Sequence, residues 1–190
     1  SMVPVHGSYA TSAGADATLL RRIWEEMATQ PGNNTLEAID RVLRRSLGTS
    51  LVEETRVFNV WNLFLGAADD GRHYPFGSLL PTPQGDATFD TFPARGASPT
   101  GPIHPFGSAL IRLLGDGTSG GLRIGFTGEQ PGVWDVSLVV HSARSGEIHH
   151  VAVEVDATGR GYIALPWKSL GALDLMIQNL GAPRSGTGEY

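Results

Sequence analysis

Six histidines, His6, His73, His104, His141, His149 and His150, are the only imidazoles available for metal chemistry, and the chain has no cysteine to assist them. Zinc hydrolysis of the H-E-x-x-H kind needs two histidines one helical turn apart with a carboxylate base beside them. No such string occurs. The nearest approach is His141 with His149 across an expected turn over 142–146, with Glu147 alongside, which would set two imidazoles and a carboxylate on one sheet face as a candidate metal site. An exposed cross-strand pair accounts for the same residues and is the preferred reading, because a working site needs ligands locked by further hydrogen bonds. Gly107-Ser108 and Gly77-Ser78 lack the G-x-S-x-G turn that presents a serine nucleophile, and read as loops. Asp69-Asp70-Gly71 and Gly115-Asp116-Gly117 lack the alternating acidic spacing of a calcium loop, and read as turns. Gly125-x-x-Gly128 follows a strand pattern but opens no helix, so it is no dinucleotide fingerprint. Among the indoles, Trp24 and Trp61 fall on helical apolar faces and Trp134 alternates with valines, so these read as core. Trp167, between Pro166 and Lys168, is expected to be exposed and is the candidate ligand-binding residue for a sugar face or a protein.

The elements that would carry these side chains follow from periodicity. Leu19, Leu20, Ile23, Trp24 and Met27 recur at three-to-four spacing after a capping Asp16, and Pro31-Gly32 ends that helix. Asn34 with Glu37 opens a second helix, carrying Leu36, Ile39, Val42, Leu43 and Leu47 on one face and stopping at Gly48. Ser50-x-x-Glu53 opens a third, in which Val57, Phe58, Trp61 and Leu65 continue to Gly66. Three amphipathic helices so close in sequence should pack together. Residues 67–105 hold seven prolines, which forbid long regular elements, so this stretch is expected to be an extended connector anchored by burial of Tyr74, Phe76, Phe89 and Phe92. Beyond it, alternating runs at 109–114, 122–126, 134–140, 151–155, 162–165 and 173–177 predict about six strands, each with a wet and a dry face. The fold expected is α+β: a flexible start over 1–15, a helical subdomain over 16–66, the connector over 67–105, and an antiparallel β-sandwich of immunoglobulin-like character over 106–190.

Composition removes several functional classes. The chain has 190 residues, 41% of them hydrophobic and 17% charged, which suits packed globular units rather than a disordered tail. No run nears the roughly 18 consecutive apolar residues of a membrane helix. A net charge of −5 and the lack of basic clusters interleaved with aromatics speak against nucleic-acid binding. The absence of cysteine excludes disulfides and thiol catalysis. Ser1-Met2 reads as a tag-cleavage scar, and the residues after it show no basic n-region or apolar h-region of a signal peptide, so the compartment stays open.

Ile23-Trp24-Glu25-Glu26, the helix from Leu36 to Leu47, Phe58-Asn59-Val60-Trp61-Asn62-Leu63-Phe64-Leu65-Gly66, His73-Tyr74-Pro75-Phe76-Gly77-Ser78-Leu79-Leu80-Pro81 and Leu173-Asp174-Leu175-Met176-Ile177-Gln178-Asn179 together form a pattern of core and turn residues. It resembles the C-terminal half of a family of secreted bacterial zinc metallopeptidases, over most of residues 18–190. The resemblance implies an H-E-x-x-H helix upstream, an extracellular or periplasmic location, and zinc in the full-length protein. This chain lacks that helix, so no catalytic residue transfers to it, and no cofactor is expected in it. Asn59, Trp61 and Asn62 are expected to be structural, the asparagines tying their helix to the connector. The function implied is a non-catalytic scaffold or binding region whose partner is the catalytic part of the same polypeptide. Two alternatives stay open: a stand-alone glycan- or protein-binding module using Trp167, and a hydrolase using His141, Glu147 and His149.

Overall fold

A computed structural model describes residues 15–29, 35–96, 101–115, 120–129, 132–142, 148–167 and 170–181. Three helices come first, α1 (Ala15–Thr29), α2 (Thr35–Leu47) and α3 (Leu51–Trp61), and seven strands follow: β1 (Ala87–Phe89), β2 (Ser108–Leu114), β3 (Leu122–Thr127), β4 (Trp134–Ser142), β5 (Ile148–Val153), β6 (Arg160–Leu165) and β7 (Leu170–Asn179). The fold is thus α+β with the helices N-terminal. The chain forms two compact units, one up to Thr55 and one from Arg56, so the division falls within α3.

In the first unit, α1 and α2 are joined by charge as well as by apolar packing. Glu26 of α1 receives Arg41 at 2.7 Å and Arg45 at 2.8 Å, both from α2. The hydrogen bond from Arg41 leads the causes that hold the Glu26 carboxyl below its ordinary range, against a smaller opposing effect of burial. Ala38, Val42 and Leu43 are the buried residues of α2. Trp24 does not behave as expected: it is 69% exposed, and its i−4 neighbour Leu20 is 59% exposed, because Leu19, Ile23, Glu26 and Met27 are the residues α1 turns inward. The start of α3 is capped as its sequence predicts, with Ser50 Oγ accepting the Glu53 N–H at 3.1 Å. Asp40 Oδ1 takes the Leu51 N–H at 2.8 Å.

In the second unit the strands form a five-stranded sheet in the order β1-β2-β7-β4-β5 and a two-stranded sheet of β3 and β6. Every pairing is antiparallel except β1 with β2, which is parallel. The six strands that alternation predicts are all present; β1 is an addition from the connector. One face of the large sheet, with Ile111, Val136, Leu138, Leu173 and Leu175, packs on Ile124, Ile163 and Leu165 of the small one. The opposite face, with Leu110, Val139 and Met176, packs on Val60, Leu63 and Phe64 from the end of α3 and the 3-10 turn after it. The expectation of one wet face per strand therefore fails for β4 and β7. Ser137, Val139, Asp174, Met176 and Gln178 are buried because a helix covers their face, and alternation alone cannot report what lies over a polar-looking face.

The connector is folded rather than merely extended. Asp69 Oδ2 takes the Ser78 N–H at 2.7 Å and Asp69 Oδ1 the Gly71 N–H at 2.9 Å, while Asp70 Oδ1 takes the Arg72 N–H at 2.9 Å, so this acidic pair closes turns. Thr82 Oγ1 accepts the Ala67 N–H at 2.8 Å, and Gly66, at φ +61°, lies so close to Thr82 that any side chain there would overlap its backbone. Tyr74 is half-buried and donates its hydroxyl to Asn62 Oδ1 at 2.9 Å. Phe89 packs at the margin of the core. Phe76 is no anchor: it is 77% exposed, because its left-handed backbone (φ 63°) turns the chain at that point.

Candidate functional site

Trp167, expected to be exposed, is a core residue at 2% exposure. The edge of Phe92 meets its indole at 5.6 Å between ring centroids. Gly115 lies flush against the indole, where any side-chain carbon would overlap it. Its position after a strand end and beside a lysine resembles a surface site in sequence, but the segment around Phe92 folds over it. The indole N–H is buried without an acceptor among the described residues.

His141 and His149 lie on β4 and β5, where His141 is opposite Ile148 and His149 is opposite Val140. They occupy neighbouring rungs of the ladder, not a shared one. Glu147 lies outside the described residues, as do the side chains of both histidines. Among the described residues no group of three His, Cys, Asp or Glu could hold a metal ion.

A buried polar network that the sequence does not announce sits beneath α3. Asp135 of β4 accepts Gln178 Nε2 at 3.1 Å and Ser137 Oγ at 3.2 Å, and forms an ion pair with Arg56 at 3.0 Å. Gln178 Oε1 in turn accepts Asn59 Nδ2 at 2.9 Å. Asn59 thus ties its helix to β7 rather than to the connector, whereas Asn62, through Tyr74, does hold the connector. A spacing argument cannot separate the two roles, which depend on which side of the turn faces the sheet. His150 shares this face, opposite Val139, and its Nε2 is buried without a hydrogen-bond partner among the described residues. Burial pushes the His150 imidazole below its ordinary pKa, Asp135 pulls the other way, and Arg56 adds to the depression. Ser137, Asp135 and His150 do not make a nucleophilic triad: Ser137 donates to the carboxylate instead of to an imidazole, and is 1% exposed. The network is structural.

The sign of the His150 effect is testable. Below the ordinary histidine pKa of about 6.5 the unfolded chain takes up a proton that the folded site resists, so the unfolded state binds more protons and stability rises with pH across that window. Urea midpoints of the wild-type chain should fall between about pH 7 and pH 5, and His150→Gln should flatten that slope. Equal slopes in the two proteins would remove His150 as the cause.

On the opposite face of the sheet lies a cleft of about 1230 Å³. Its floor is Ala109, Ile111 and Leu113 of β2 with Leu175 and Ile177 of β7, and the connector around Phe89 and Phe92 forms one bank. The other bank is β3 with its flanks, residues 120–129, whereas β6 contributes only Ala164 and Leu165. Inward and outward residues of β3 line the cleft alike, so it runs along the edge of that strand rather than over one face. Arg123 and Glu129 are the charged side chains among its lining. Such a site can bury apolar groups and offer backbone hydrogen bonds. No protein-family model matches the chain, and a search of the curated proteins finds no match either. The cleft leaves no mark in the sequence, because its floor, β2 and β7, has the alternation of ordinary core strands.

Proposed function

We infer that this chain is a non-catalytic scaffold or binding region, of the kind its resemblance implies: the ancillary C-terminal part of a secreted zinc metallopeptidase, working with a catalytic part of the same polypeptide. The observation that supports this reading is the cleft, whose apolar floor of β2 and β7 residues has room for a ligand. Asn59, Gln178 and Asp135 are engaged with one another in holding α3 to the sheet. An immunoglobulin-like description of the β region has support in the strand order, since β3 pairs with β6 and β4 with β7, and both links, β3 to β4 and β6 to β7, pass between the sheets. Zinc on this reading belongs to the longer polypeptide, and the location is extracellular or periplasmic. The cleft equally favours a second reading, a stand-alone protein-binding module, which shares the same contact surface and differs only in the partner.

Incubation with a quenched fluorescent casein, with and without one equivalent of zinc, tests the non-catalytic reading. No turnover is expected. Zinc-dependent turnover that disappears in His149→Ala, with an unchanged circular dichroism spectrum, would instead establish the hydrolase built on His141, Glu147 and His149.

A further inference from the structure

The edge of β3 that faces the cleft is unpaired among the described residues, since β3 has β6 as its one partner strand. Which of its backbone groups are free follows from the ladder. Thr127 is opposite Arg160, and the next rung is fixed by the Gly128 N–H donating to the Gly159 carbonyl at 2.8 Å. Antiparallel rungs alternate between hydrogen-bonded and non-hydrogen-bonded pairs, so Phe126, Ile124 and Leu122 share the bonded phase of Gly128 and point their N–H and C=O groups at β6. Arg123, Gly125 and Thr127 therefore direct theirs at the cleft. Gly125, midway along this edge, is exposed, and no described residue stands within 4 Å of where its Cβ would be, so the outer face of the strand is open there.

We propose that the cleft captures an extended peptide segment of a partner protein, which adds to the edge of β3 as a third strand of the small sheet. Two strands face five across the core, and the added strand would lie over Ile111 and Leu113, which line the cleft floor. Strand addition supplies main-chain hydrogen bonds along Arg123, Gly125 and Thr127, while alternate side chains of the peptide enter the apolar floor. The charges at the two ends set its polarity. Arg123 is exposed at one end of the edge and Glu129 at the other, about 20 Å apart along an extended strand. The segment recognised is thus about seven residues long, one for each position from Arg123 to Glu129, with an acidic residue at the Arg123 end and a basic one at the Glu129 end on the outer face and apolar residues at the alternate positions between them. This rests on the reading of the cleft as a binding surface and names the class of ligand it takes.

The probes are a capped peptide Asp-Val-Thr-Val-Thr-Val-Lys, its reversed sequence for the opposite strand direction, and a version of each N-methylated at alternate residues. The readout is amide hydrogen exchange by NMR. One of the two unmethylated peptides should slow exchange saturably at Arg123, Gly125 and Thr127, and both N-methylated versions should fail to do so. Gly125→Pro removes a donor that β6 does not use and should weaken binding about tenfold. Arg123→Glu, an exposed change that leaves the core alone, should reverse the preference for the acidic end. Binding of the N-methylated peptides equal to that of their parents, protection confined to residues away from β3, or no slowing at these three amides at millimolar peptide overturns the proposal. Protection that appears without peptide and grows with protein concentration assigns the edge to a second copy of the chain, and overturns it too. Cleavage of the peptide, seen by mass spectrometry, would defeat the non-catalytic reading while leaving strand addition intact.

Discussion

Trp167→Ala is expected to cost the second unit about 3–5 kcal/mol, the range for deleting a buried aromatic side chain from a packed core. The residue is 2% exposed and belongs to the same cluster as Ile111, Leu138 and Leu173, so the space it leaves cannot be refilled by water from outside without exposing those side chains. Against a typical domain stability of about 5–15 kcal/mol the loss is severe. Trp167→Phe should cost much less, because the ring keeps part of the contact with Phe92 and removes an indole N–H that has no acceptor among the described residues. Urea unfolding of the three proteins decides the matter. A Trp167→Ala chain of unchanged midpoint that has lost affinity for a glycan would return this indole to the surface role its sequence context suggests.

The second large effect belongs to Gln178, which has no exposed surface and links α3 to β4 through its amide. Gln178→Ala should destabilise by about 2–4 kcal/mol, since Asn59 Nδ2 loses its acceptor in a buried site and Asp135 loses one of its donors. Asp135 keeps Ser137 and Arg56, so it is not left bare. The double variant Asn59→Leu with Gln178→Met removes donor and acceptor together, and its cost should fall short of the sum of the single changes by about 0.5–3 kcal/mol. Additive losses in that cycle would mean that the two amides act independently. The single variant should also shift the fluorescence of Trp61, which stands two residues beyond Asn59 on the turn the network holds down.

Local rules carried most of the chain's secondary structure. Three-to-four spacing with Ser50 as a cap, and period-two alternation between glycine turns, predict α3 and six of the seven strands, because helix and strand each impose their own period on which side chains meet water. The missing strand, β1, is three residues long and parallel to β2, too short to show alternation and too isolated to show a hairpin. Tryptophan positions misled in both directions. Trp24 keeps the helical phase of a core residue and is exposed, and Trp167 has the neighbours of a surface residue and is buried. Periodicity orders a residue against its own element, whereas burial depends on which other element arrives to cover it, and that is a long-range fact.

The same division applies to the candidate site. The sequence by itself excluded thiol chemistry, an H-E-x-x-H helix and a membrane-spanning helix, and it determined an N-terminal helical part followed by strands. Only the tertiary structure decided that Asn59, Asp135 and Gln178 meet beneath α3, and that β3 borders a cleft along an edge unpaired among the described residues. Those residues come from segments up to 119 positions apart in the chain. Their meeting is set by the order in which strands enter the two sheets, and strand order is an outcome of how the whole core packs, not a property of any one segment's periodicity.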